Sequence, residues 1–263
     1  MRVFVGNHNN LRIALTGYSG FIGSAVSQKL QESELVDLKD LRYVDVLLHI
    51  ASPLTFSAED ISRYVNSNLE VANFIEASDS RLFYFSTNNV YPLGKCFEDE
   101  EPKPESIYSY TKLIAEDYFR AVTGEKCSVL RIGDVYGLGQ KHGNFFRQLE
   151  YATRNNTDFK LMGSGQKSRS QIWINDLVDV ILDLVLLEKV QPILNVATYE
   201  PMSNLDIVES WEKYFHRKAQ RVQYSQEDIS FRQLLSRNPI PQLQLDPFDS
   251  LRRYFETLEA AIA

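Results

Sequence analysis

A tyrosine and a lysine lie four positions apart in the segment Tyr108-Ser-Tyr-Thr-Lys112. On a helix, positions i and i+4 share one face and lie one turn apart. A nearby ammonium group stabilises a phenolate and lowers the pKa of a tyrosine from about 10 towards neutral pH. Tyr108 is therefore a candidate general acid or base, with Lys112 as the cation that tunes it. The spacing also occurs by chance, so its meaning depends on the surrounding elements.

A hydroxyl-rich segment follows a buried apolar run that begins at Arg81. It reads Ser86-Thr87-Asn88-Asn89. In a parallel sheet the carboxyl ends of the strands border the ligand crevice, where a hydroxyl can bond a substrate oxygen. Taken in isolation, the segment is equally typical of an ordinary polar turn.

A glycine-rich loop lies near the start of the chain, with glycines at 17, 20 and 23 between an apolar run and a predicted helix. Glycine permits a tight turn and a close approach of backbone N–H groups to a pyrophosphate, and a helix N-terminus adds partial positive charge. The GxxGxxG spacing differs from the common GxGxxG fingerprint. The loop favours dinucleotide binding; a ligand-free strand–helix turn is the alternative.

Charged residues that could choose between the two nicotinamide cofactors follow this loop. Asp37 lies about 20 residues after Gly17, where an acid reads the ribose hydroxyls of NAD. Lys39 and Arg42 lie close by and could meet a 2′-phosphate instead. The sequence leaves NAD or NADP open, as well as a plain surface role for all three charges.

Short apolar strands alternate with helical periodicity through the first half of the chain. The predicted strands are 12–16, 44–49, 81–86 and 128–131, and the predicted helices are 24–31, 61–77, 108–122, 175–187 and 203–215. This alternation predicts an α/β fold, a Rossmann-type parallel sheet with helices on both faces. We expect a nucleotide-binding domain over 1–132, to which 171–198 returns, and a small C-terminal substrate lobe mainly over 133–263.

Composition excludes several classes of protein. Apolar residues make up 44% and charged residues 24% of the 263 residues, as in an ordinary globular protein. The net charge of -7 argues against a nucleic-acid partner. The four scattered histidines and two cysteines predict no metal site, and no apolar stretch predicts a signal peptide or membrane span, so we expect a cytoplasmic protein.

Taken together, the motifs resemble those of the extended short-chain dehydrogenase/reductases, specifically the NAD(P)-dependent sugar-nucleotide epimerases, dehydratases and reductases. The resemblance runs from about Arg12 to Ala197. The matching segments are TGYSGFIG (16–23), HIAS (49–52), FSTNNVY (85–91), YSYTK (108–112), LRIGDVYG (130–137) and GSGQKSRSQIWINDLVD (163–179).

The resemblance implies a role for each matched position. It implies a catalytic set of Thr87, Tyr108 and Lys112. It implies cofactor contacts at Gly17, Ser19, Gly20, Phe21, Ile22, Gly23, Asp37, Ala51, Ser86, Tyr108, Lys112 and Ile132. It implies substrate contacts at Ser52, Asn88, Asp134, Asn144 and Arg169, with the Arg169 guanidinium on a substrate diphosphate.

The resemblance also implies hydride chemistry at a ring carbon of a nucleotide-diphosphate sugar, usually C4, in a homodimer built on the helices 61–77 and 108–122. Epimerase and reductase stay open. Dehydration is disfavoured because Asn88 stands where dehydratases of the family tend to carry an acid. A non-catalytic nucleotide-binding or regulatory scaffold of the same fold is the rival hypothesis.

The chain departs from the family pattern at three places. The segment from Gly23 to Val44 is too short for two strands and a helix, so one βα unit is reduced or missing. Asp37-Leu-Lys-Asp40 could instead be the remnant of the DLxD segment of the family's third strand. Asp134 stands in place of a usual asparagine near the substrate phosphates, where a carboxylate repels a diphosphate unless it is paired or protonated. The alternation of Val3 and Val5 predicts an added edge strand within 1–10.

Overall fold

The computed structural model describes residues 1–53, 57–140, 145–224, 229–237 and 241–262. Its strands are β1 Arg2–His8, β2 Leu11–Thr16, β3 Gln31–Asp37, β4 Val46–His49, β5 Arg81–Thr87, β6 Gly94–Cys96, β7 Cys127–Ile132, β8 Asp134–Tyr136, β9 Lys160–Met162, β10 Ser168–Arg169, β11 Gln171–Trp173, β12 Ile193–Val196, β13 Met202–Ser203, β14 Gln220–Val222 and β15 Phe231–Leu234. Its helices are α1 Phe21–Ser27, α2 Ala58–Glu76, α3 Ile107–Thr123, α4 Phe145–Arg154, α5 Ile174–Leu186, α6 Asn204–Phe215 and α7 Pro247–Ala260.

The chain divides into two units. The first consists of Met1–Pro92, Glu100–Ile132 and Val178–Asn195, and the second of Leu93–Asp99, Gly133–Leu177 and Val196–Ala263. Among the described helices, none is long and apolar enough to cross a membrane.

A seven-stranded sheet forms the first unit, with the strand order β12-β7-β5-β4-β2-β1-β3. The neighbouring strands β2, β4, β5 and β7 pair in parallel. The predicted α/β class with a mostly parallel sheet is confirmed. Because the paired strands run the same way, their carboxyl ends meet at one edge, where the candidate residues follow.

One face of this sheet and the helices α2 and α3 share a hydrophobic core. Buried side chains from alternate strand positions point into it, as a half-covered sheet requires. They include Val3, Val5, Ala14, Leu47, Leu82, Tyr84 and Val129 from the strands, with Tyr64, Val71, Ala72, Ile75, Ala115 and Phe119 from the helices. This packing fixes the axis of α3 against β5, which matters for the Tyr108–Lys112 face.

The N-terminal segment forms a strand, but its predicted place at the sheet edge is wrong. β1 lies inside the sheet, antiparallel to both β2 and β3. The turn residues Asn9 and Asn10 have φ values of 46° and 66°, the left-handed conformation that a two-residue hairpin needs. The hairpin folds β1 directly beside β2, and β3 then pairs with the free side of β1 at the edge.

The region between the glycine loop and β4 is correspondingly short. Helix α1 begins at Phe21 and ends at Ser27, earlier than the predicted 24–31, because the chain enters β3 at Gln31 to pair with β1. β3 ends at Asp37, and Leu38–Asp40 forms a single 3-10 turn directly after it. The interpretation of 37–40 as the DLxD segment of the family's third strand stays a prediction. β1 thus occupies the position that the missing βα unit leaves beside β2.

The second unit is built from three small sheets and the helices α4, α6 and α7. The strands form one four-stranded sheet, β13-β10-β15-β6, and two pairs, β11-β8 and β14-β9. Helix α6 begins after Ser203, whose side chain forms a reciprocal capping box with Asp206. Stacked rings of Tyr136 and Phe146, with centroids 4.1 Å apart, fill part of its core.

Candidate active site

The carboxyl ends of four parallel strands bring most of the candidate residues of the first unit to one edge. Thr16, at the end of β2, lies opposite His49, at the end of β4. Thr87, at the end of β5, lies opposite Ile132, at the end of β7. The glycine loop follows β2, and Ala51 and Ser52 follow β4.

The glycine loop closes tightly on itself and on the chain after β4. Gly17 has φ +68°, and a Cβ there would lie 2.8 Å from the main-chain nitrogen of Ala51. A Cβ on Gly23 would lie 2.1 Å from the carbonyl oxygen of Gly17, so α1 is held against the loop at a distance only glycine allows. The amide of Gly20 donates to the same Gly17 oxygen at 2.9 Å. These contacts hold the turn and the start of α1 in one tight arrangement.

A buried hydrogen-bond chain braces the strand ends below the loop. The main-chain amides of Ile50 and Ala51 both donate to Thr16 Oγ1, each at 3.1 Å. The Thr16 hydroxyl proton is then directed at His49 Nδ1, 2.7 Å away, so Nδ1 accepts and Nε2 carries the proton. His49 Nε2 donates to Asn68 Oδ1 at 2.8 Å, and burial lowers the pKa of His49 to about 4. A neutral histidine therefore links β2, β4 and α2.

Helix α3 positions the Tyr108–Lys112 pair. It begins after Ser106, whose side chain forms a reciprocal capping box with Ser109, so the helix start is fixed one residue before Tyr108. Tyr108 is half-buried and Lys112 is buried, one turn further along the same face. The charge of Tyr108 contributes to the raised pKa of Tyr64 on α2, about 12, for which burial is the main cause.

The ammonium group of Lys112 lies beneath the end of β5. Its Nζ donates to the main-chain oxygen of Phe85 at 2.8 Å and lies 5.0 Å from the ring centroid of Tyr84. Burial lowers the pKa of Lys112 to about 7, and the carboxylate of Glu116, one turn further along α3, opposes that decrease. A pKa of about 7 means that Lys112 changes its protonation state around neutral pH.

Thr87 is buried where β5 ends. Its Oγ1 accepts from the amide of Asn89 at 3.2 Å and lies 3.5 Å from Asn88 Oδ1. Asn88 is also buried, and its main-chain oxygen accepts from the amide of Tyr91 at 3.1 Å. The segment therefore is a polar turn, as one alternative predicted, and it holds Thr87 at the end of β5, as the other requires.

Behind Thr87, the neighbouring Ser86 joins a buried ionic network that the sequence analysis missed. The Ser86 hydroxyl donates to Glu116 Oε1, and Arg131 pairs with Glu116 Oε2 at 2.7 Å, with both charged side chains nearly inaccessible. The Arg131 guanidinium lies 4.6 Å from the ring centroid of Tyr91. The sequence does place Glu116 four residues after Lys112, on the same helix face, and an arginine in the next buried strand. Those two positions could have indicated the ion pair.

The predicted reader of the cofactor ribose lies farther from the glycine loop than the sequence suggests. Asp37 ends β3, the edge strand, and β1 separates β3 from the glycine-loop strand β2. The residue paired with Asp37 is Arg2 on β1, which the sequence analysis did not consider.

The remaining candidates for substrate binding lie in the second unit, apart from Ser52 and Asn88. Arg169, on β10, donates to the main-chain oxygens of Ser168 and Ser230 at 2.8 and 2.9 Å and to Ser230 Oγ at 2.7 Å. Asp134, on β8, is exposed, and its amide donates to the oxygen of Ser170 at 3.0 Å. Asn144 lies outside the described residues.

Two features of the first unit bear on ligand binding. The loop from Gly17 to Gly23 has no room for a Cβ at either end, so its main chain packs closely against Ala51 and against itself. The Ser52 Oγ is buried and, within the part of the chain that the structure describes, has no hydrogen-bond partner. A buried polar atom without a partner costs free energy unless a ligand or water satisfies it.

Comparison with known proteins assigns the chain to a family. A family model described as the NAD dependent epimerase/dehydratase family matches residues 38–197. The chain belongs to this family, within the extended short-chain dehydrogenase/reductases.

Individual relatives are distant. The chain is 26% identical over 259 residues to GDP-mannose 3,5-epimerase 1 of Oryza sativa subsp. indica, covering 76% of this chain and 67% of that protein. It is 27% identical over 173 residues to dTDP-D-glucose 4,6-dehydratase of Homo sapiens, covering 61% and 49%. An uncharacterized protein of Methanocaldococcus jannaschii is 26% identical over 203 residues, with 70% and 61% covered. The chain thus spans between 49% and 67% of the length of these relatives.

Solved structures share the fold. UDP-N-acetylglucosamine 4-epimerase from Bacillus cereus superposes with a TM-score of 0.78 at 18% identity, covering 95% of this chain and 98% of that one. MoeE5, in complex with UDP-glucuronic acid and NAD, gives 0.75 at 20% identity, covering 95% and 99%. RMD from Pseudomonas aeruginosa, complexed with NADPH, gives 0.71 at 20% identity, covering 94% and 98%.

Proposed function

We propose that the protein is an NAD(P)-dependent epimerase or ketoreductase that acts on a nucleotide-diphosphate sugar, at a ring carbon and most simply at C4. The observation that carries this proposal is the arrangement at the end of β5. Thr87 ends the strand, and Lys112 donates from α3 to Phe85, two residues earlier. Tyr108 lies one turn before Lys112 on the same helix. A scaffold without catalysis has no need to retain this set.

The residues that would hold the cofactor belong to the first unit. The loop residues Gly17, Ser19, Gly20, Phe21, Ile22 and Gly23 would receive the pyrophosphate, and Ala51, Ser86, Tyr108, Lys112 and Ile132 would line the rest of its path. Asp37 and Arg2 are the two candidates for contact with the adenosine ribose of the cofactor. A bound nicotinamide supplies or accepts the hydride.

The side chains of the first unit would handle the proton. Tyr108 exchanges the proton of the sugar hydroxyl or ketone, and Thr87 orients the same oxygen. Lys112 in its protonated form stabilises the Tyr108 phenolate by its charge, and it bonds the cofactor ribose once it leaves the Phe85 carbonyl. Because Asn88 and Asn89 follow Thr87, this turn offers no carboxyl group for the elimination of water.

Each unit by itself contains candidates for substrate recognition. Ser52 and Asn88 are candidates in the first unit, and Arg169 is the candidate for the diphosphate in the second, where a guanidinium fork suits phosphate geometry. Arg169 would have to exchange its bonds to Ser230 for the ligand. Asp134 opposes an anion by its charge, so we expect the Asp134→Asn variant to bind the diphosphate more tightly than the natural protein does.

The decisive experiment combines binding and turnover. Purified protein is stripped of nucleotide and titrated with NADH and NADPH by calorimetry, then assayed with UDP-, GDP-, dTDP- and CDP-sugars. We expect binding of at least one cofactor and conversion of one sugar class. Net consumption of reduced cofactor indicates a reductase; turnover with no net consumption indicates an epimerase.

Tyr108→Phe tests the assigned chemistry. We expect its kcat to fall by about 100-fold or more while cofactor affinity holds, since general acid–base catalysis contributes about 10²–10⁴-fold. Tyr151→Phe, at an exposed tyrosine of α4, is the control. Unchanged turnover in Tyr108→Phe contradicts the mechanism, and absence of any cofactor binding favours the non-catalytic scaffold.

We also propose that the protein is a homodimer through α2 and α3. The two helices pack against each other and still expose large apolar side chains. These are Val65 and Leu69 on α2 and Ile107, Tyr110 and Ile114 on α3. Light scattering should give twice the chain mass for the natural protein and the single chain mass for Ile114→Glu. A natural protein that stays at the single chain mass contradicts the dimer.

A further inference from the structure

The strand beside the glycine-loop strand carries a cation where dinucleotide-binding folds carry a ribose-reading acid. In the usual arrangement the neighbouring strand runs parallel, and its carboxyl end presents an Asp or Glu. Here the neighbour is β1, which runs antiparallel, so its first residues reach the ligand edge. Phe4 lies opposite Leu15, and continuing that register places Arg2 level with Gly17.

The side chain of Arg2 lies on the glycine-loop face of the sheet. Val3 and Val5 are buried in the core shared with α2 and α3, so alternation places Arg2 and Phe4 on the opposite face. The Phe4 ring lies 6.2 Å from the ring of Tyr18, which belongs to the glycine loop. Arg2 is exposed on this face.

Asp37 is poorly placed for the ribose. Neighbouring strands lie about 4.8 Å apart, so β3 is roughly 10 Å from β2, twice the separation of an adjacent strand. Asp37 and Arg2 form a directly opposed pair on the neighbouring strands β3 and β1. The charged residues that follow β3 are Lys39, Asp40 and Arg42, and all three are exposed.

We propose that Arg2 binds the 2′-phosphate of the cofactor, so that the protein prefers NADP(H) to NAD(H). The inference rests on the proposed function, because it assumes a dinucleotide on the glycine loop. The guanidinium of Arg2 takes the place of the acid that would bond the free 2′-hydroxyl, and its fork geometry suits a phosphate. Lys39 and Arg42 add positive charge, whereas Asp37 and Asp40 oppose it, so Arg2 supplies the directional contact.

The test uses equilibrium binding and needs no turnover. Adenosine 2′,5′-bisphosphate and adenosine 5′-monophosphate are titrated against the full chain, as are NADPH and NADH. We expect the natural protein to prefer the 2′-phosphorylated member of each pair. Arg2→Gln should lose affinity for those members by at least about tenfold, because it removes a charge-assisted hydrogen bond to the 2′-phosphate. Its affinity for NADH should stay within about twofold.

Three variants locate the contact. Arg12→Gln removes an arginine from the far end of the same hairpin, where it pairs with Glu34, and should leave the preference intact. Lys39→Ala should have a smaller effect than Arg2→Gln. Asp37→Asn should leave NADH affinity unchanged, whereas a ribose-reading Asp37 would make NADH affinity fall.

The outcomes separate this inference from the proposed function. If NADH binds and the 2′-phosphate confers no advantage, the Arg2 assignment is overturned and the proposed function stands. If the preference exists but follows Lys39 rather than Arg2, the assignment is again overturned. If neither cofactor binds, both fail. Circular dichroism of each variant confirms that an exposed substitution has left the fold in place.

Discussion

The ammonium group of Lys112 donates a 2.8 Å hydrogen bond to the main-chain oxygen of Phe85. The bond joins α3 to the strand that ends in Thr87. It also keeps a cation in a buried setting where burial lowers its pKa to about 7. The same side chain therefore connects the placement of the candidate catalytic residues with the pH dependence of the fold.

The first prediction concerns stability in mild alkali. In the unfolded chain a lysine stays protonated up to a pH of about 10.4. Between about pH 7 and that value the unfolded state binds more protons than the folded state, so the contribution of Lys112 to stability rises with pH. The slope reaches at most about 1.4 kcal/mol per pH unit. Urea unfolding from pH 7 to 10 should show this slope in the natural protein relative to Lys112→Met.

A solvent-exposed lysine provides the control for this pH series. Lys103 is exposed, so Lys103→Met should reproduce the pH dependence of the natural protein. If the natural protein and Lys112→Met give parallel curves, Lys112 is charged in the folded state across this range and the prediction is wrong.

The second prediction concerns mild acid. Burial lowers the pKa of His49 from 6.5 to about 4. The unfolded state therefore takes up a proton between about pH 6.5 and 4 while folded His49 stays neutral, so stability falls as the pH decreases through this window. His49→Gln should be less stable than the natural protein at pH 7 by about 1–3 kcal/mol, because Thr16 and Asn68 lose a partner. Its stability should nevertheless decline less steeply towards pH 4, as chemical unfolding at each pH would show.

The control for His49 is a histidine outside the core. His8, near the hairpin turn, contacts Asn9, and His8→Gln should keep the acid dependence of the natural protein. Equal acid dependence in the natural protein and His49→Gln would show that other groups control this range.

The sequence allows much of the sheet to be predicted because local signals and global pairing agree there. The strands ending in Thr16, His49 and Thr87 are short apolar runs followed by polar or glycine residues, and the structure has them as parallel neighbours. The N-terminal hairpin shows the limit. Alternation of Val3 and Val5 predicts a strand but not its neighbours. The position of β1 in the sheet depends on which strand has an unpaired edge, and here that strand is β2.

The candidate site shows the same division. Residues that belong to a spaced motif, such as Tyr108 and Lys112, could be predicted on one helix face. Glu116 and Arg131 carry no motif of their own, and their pairing depends on the register of α3 against β7. The relation of Asp37 to Arg2 depends on a strand insertion that residue spacing does not reveal, since spacing along the chain says nothing about which strand lies between.

The third prediction concerns the buried ion pair. Glu116 and Arg131 are both nearly inaccessible and lie 2.7 Å apart. Glu116→Gln leaves the Arg131 guanidinium buried without its counter-ion, and removing one partner of such a pair costs about 3–5 kcal/mol. Denaturant unfolding should show this loss. The double variant Glu116→Gln with Arg131→Met should recover part of it, because the unpaired charge is gone.

An exposed pair on α2 is the matched control. Arg63 and Glu59 pair one turn apart with both side chains largely exposed, so Glu59→Gln should change stability by less than about 0.5 kcal/mol. Two results would contradict the assigned role of the pair. One is a loss of stability in Glu116→Gln no larger than that in Glu59→Gln, and the other is a double variant less stable than Glu116→Gln alone.

The fourth prediction concerns the glycine loop. In Gly23→Ala the new Cβ would meet the oxygen of Gly17 at 2.1 Å, so the backbone of the loop must move. In Gly20→Ala the nearest atom is the same oxygen at 3.2 Å, and a small adjustment suffices. We expect cofactor affinity to fall by at least about tenfold, or 1.4 kcal/mol, in Gly23→Ala and by less in Gly20→Ala. Calorimetric titration measures both, and thermal unfolding shows whether the sheet survives. Equal losses in the two variants would mean that the new methyl groups act on the ligand directly, rather than through the closure of the loop on Gly17.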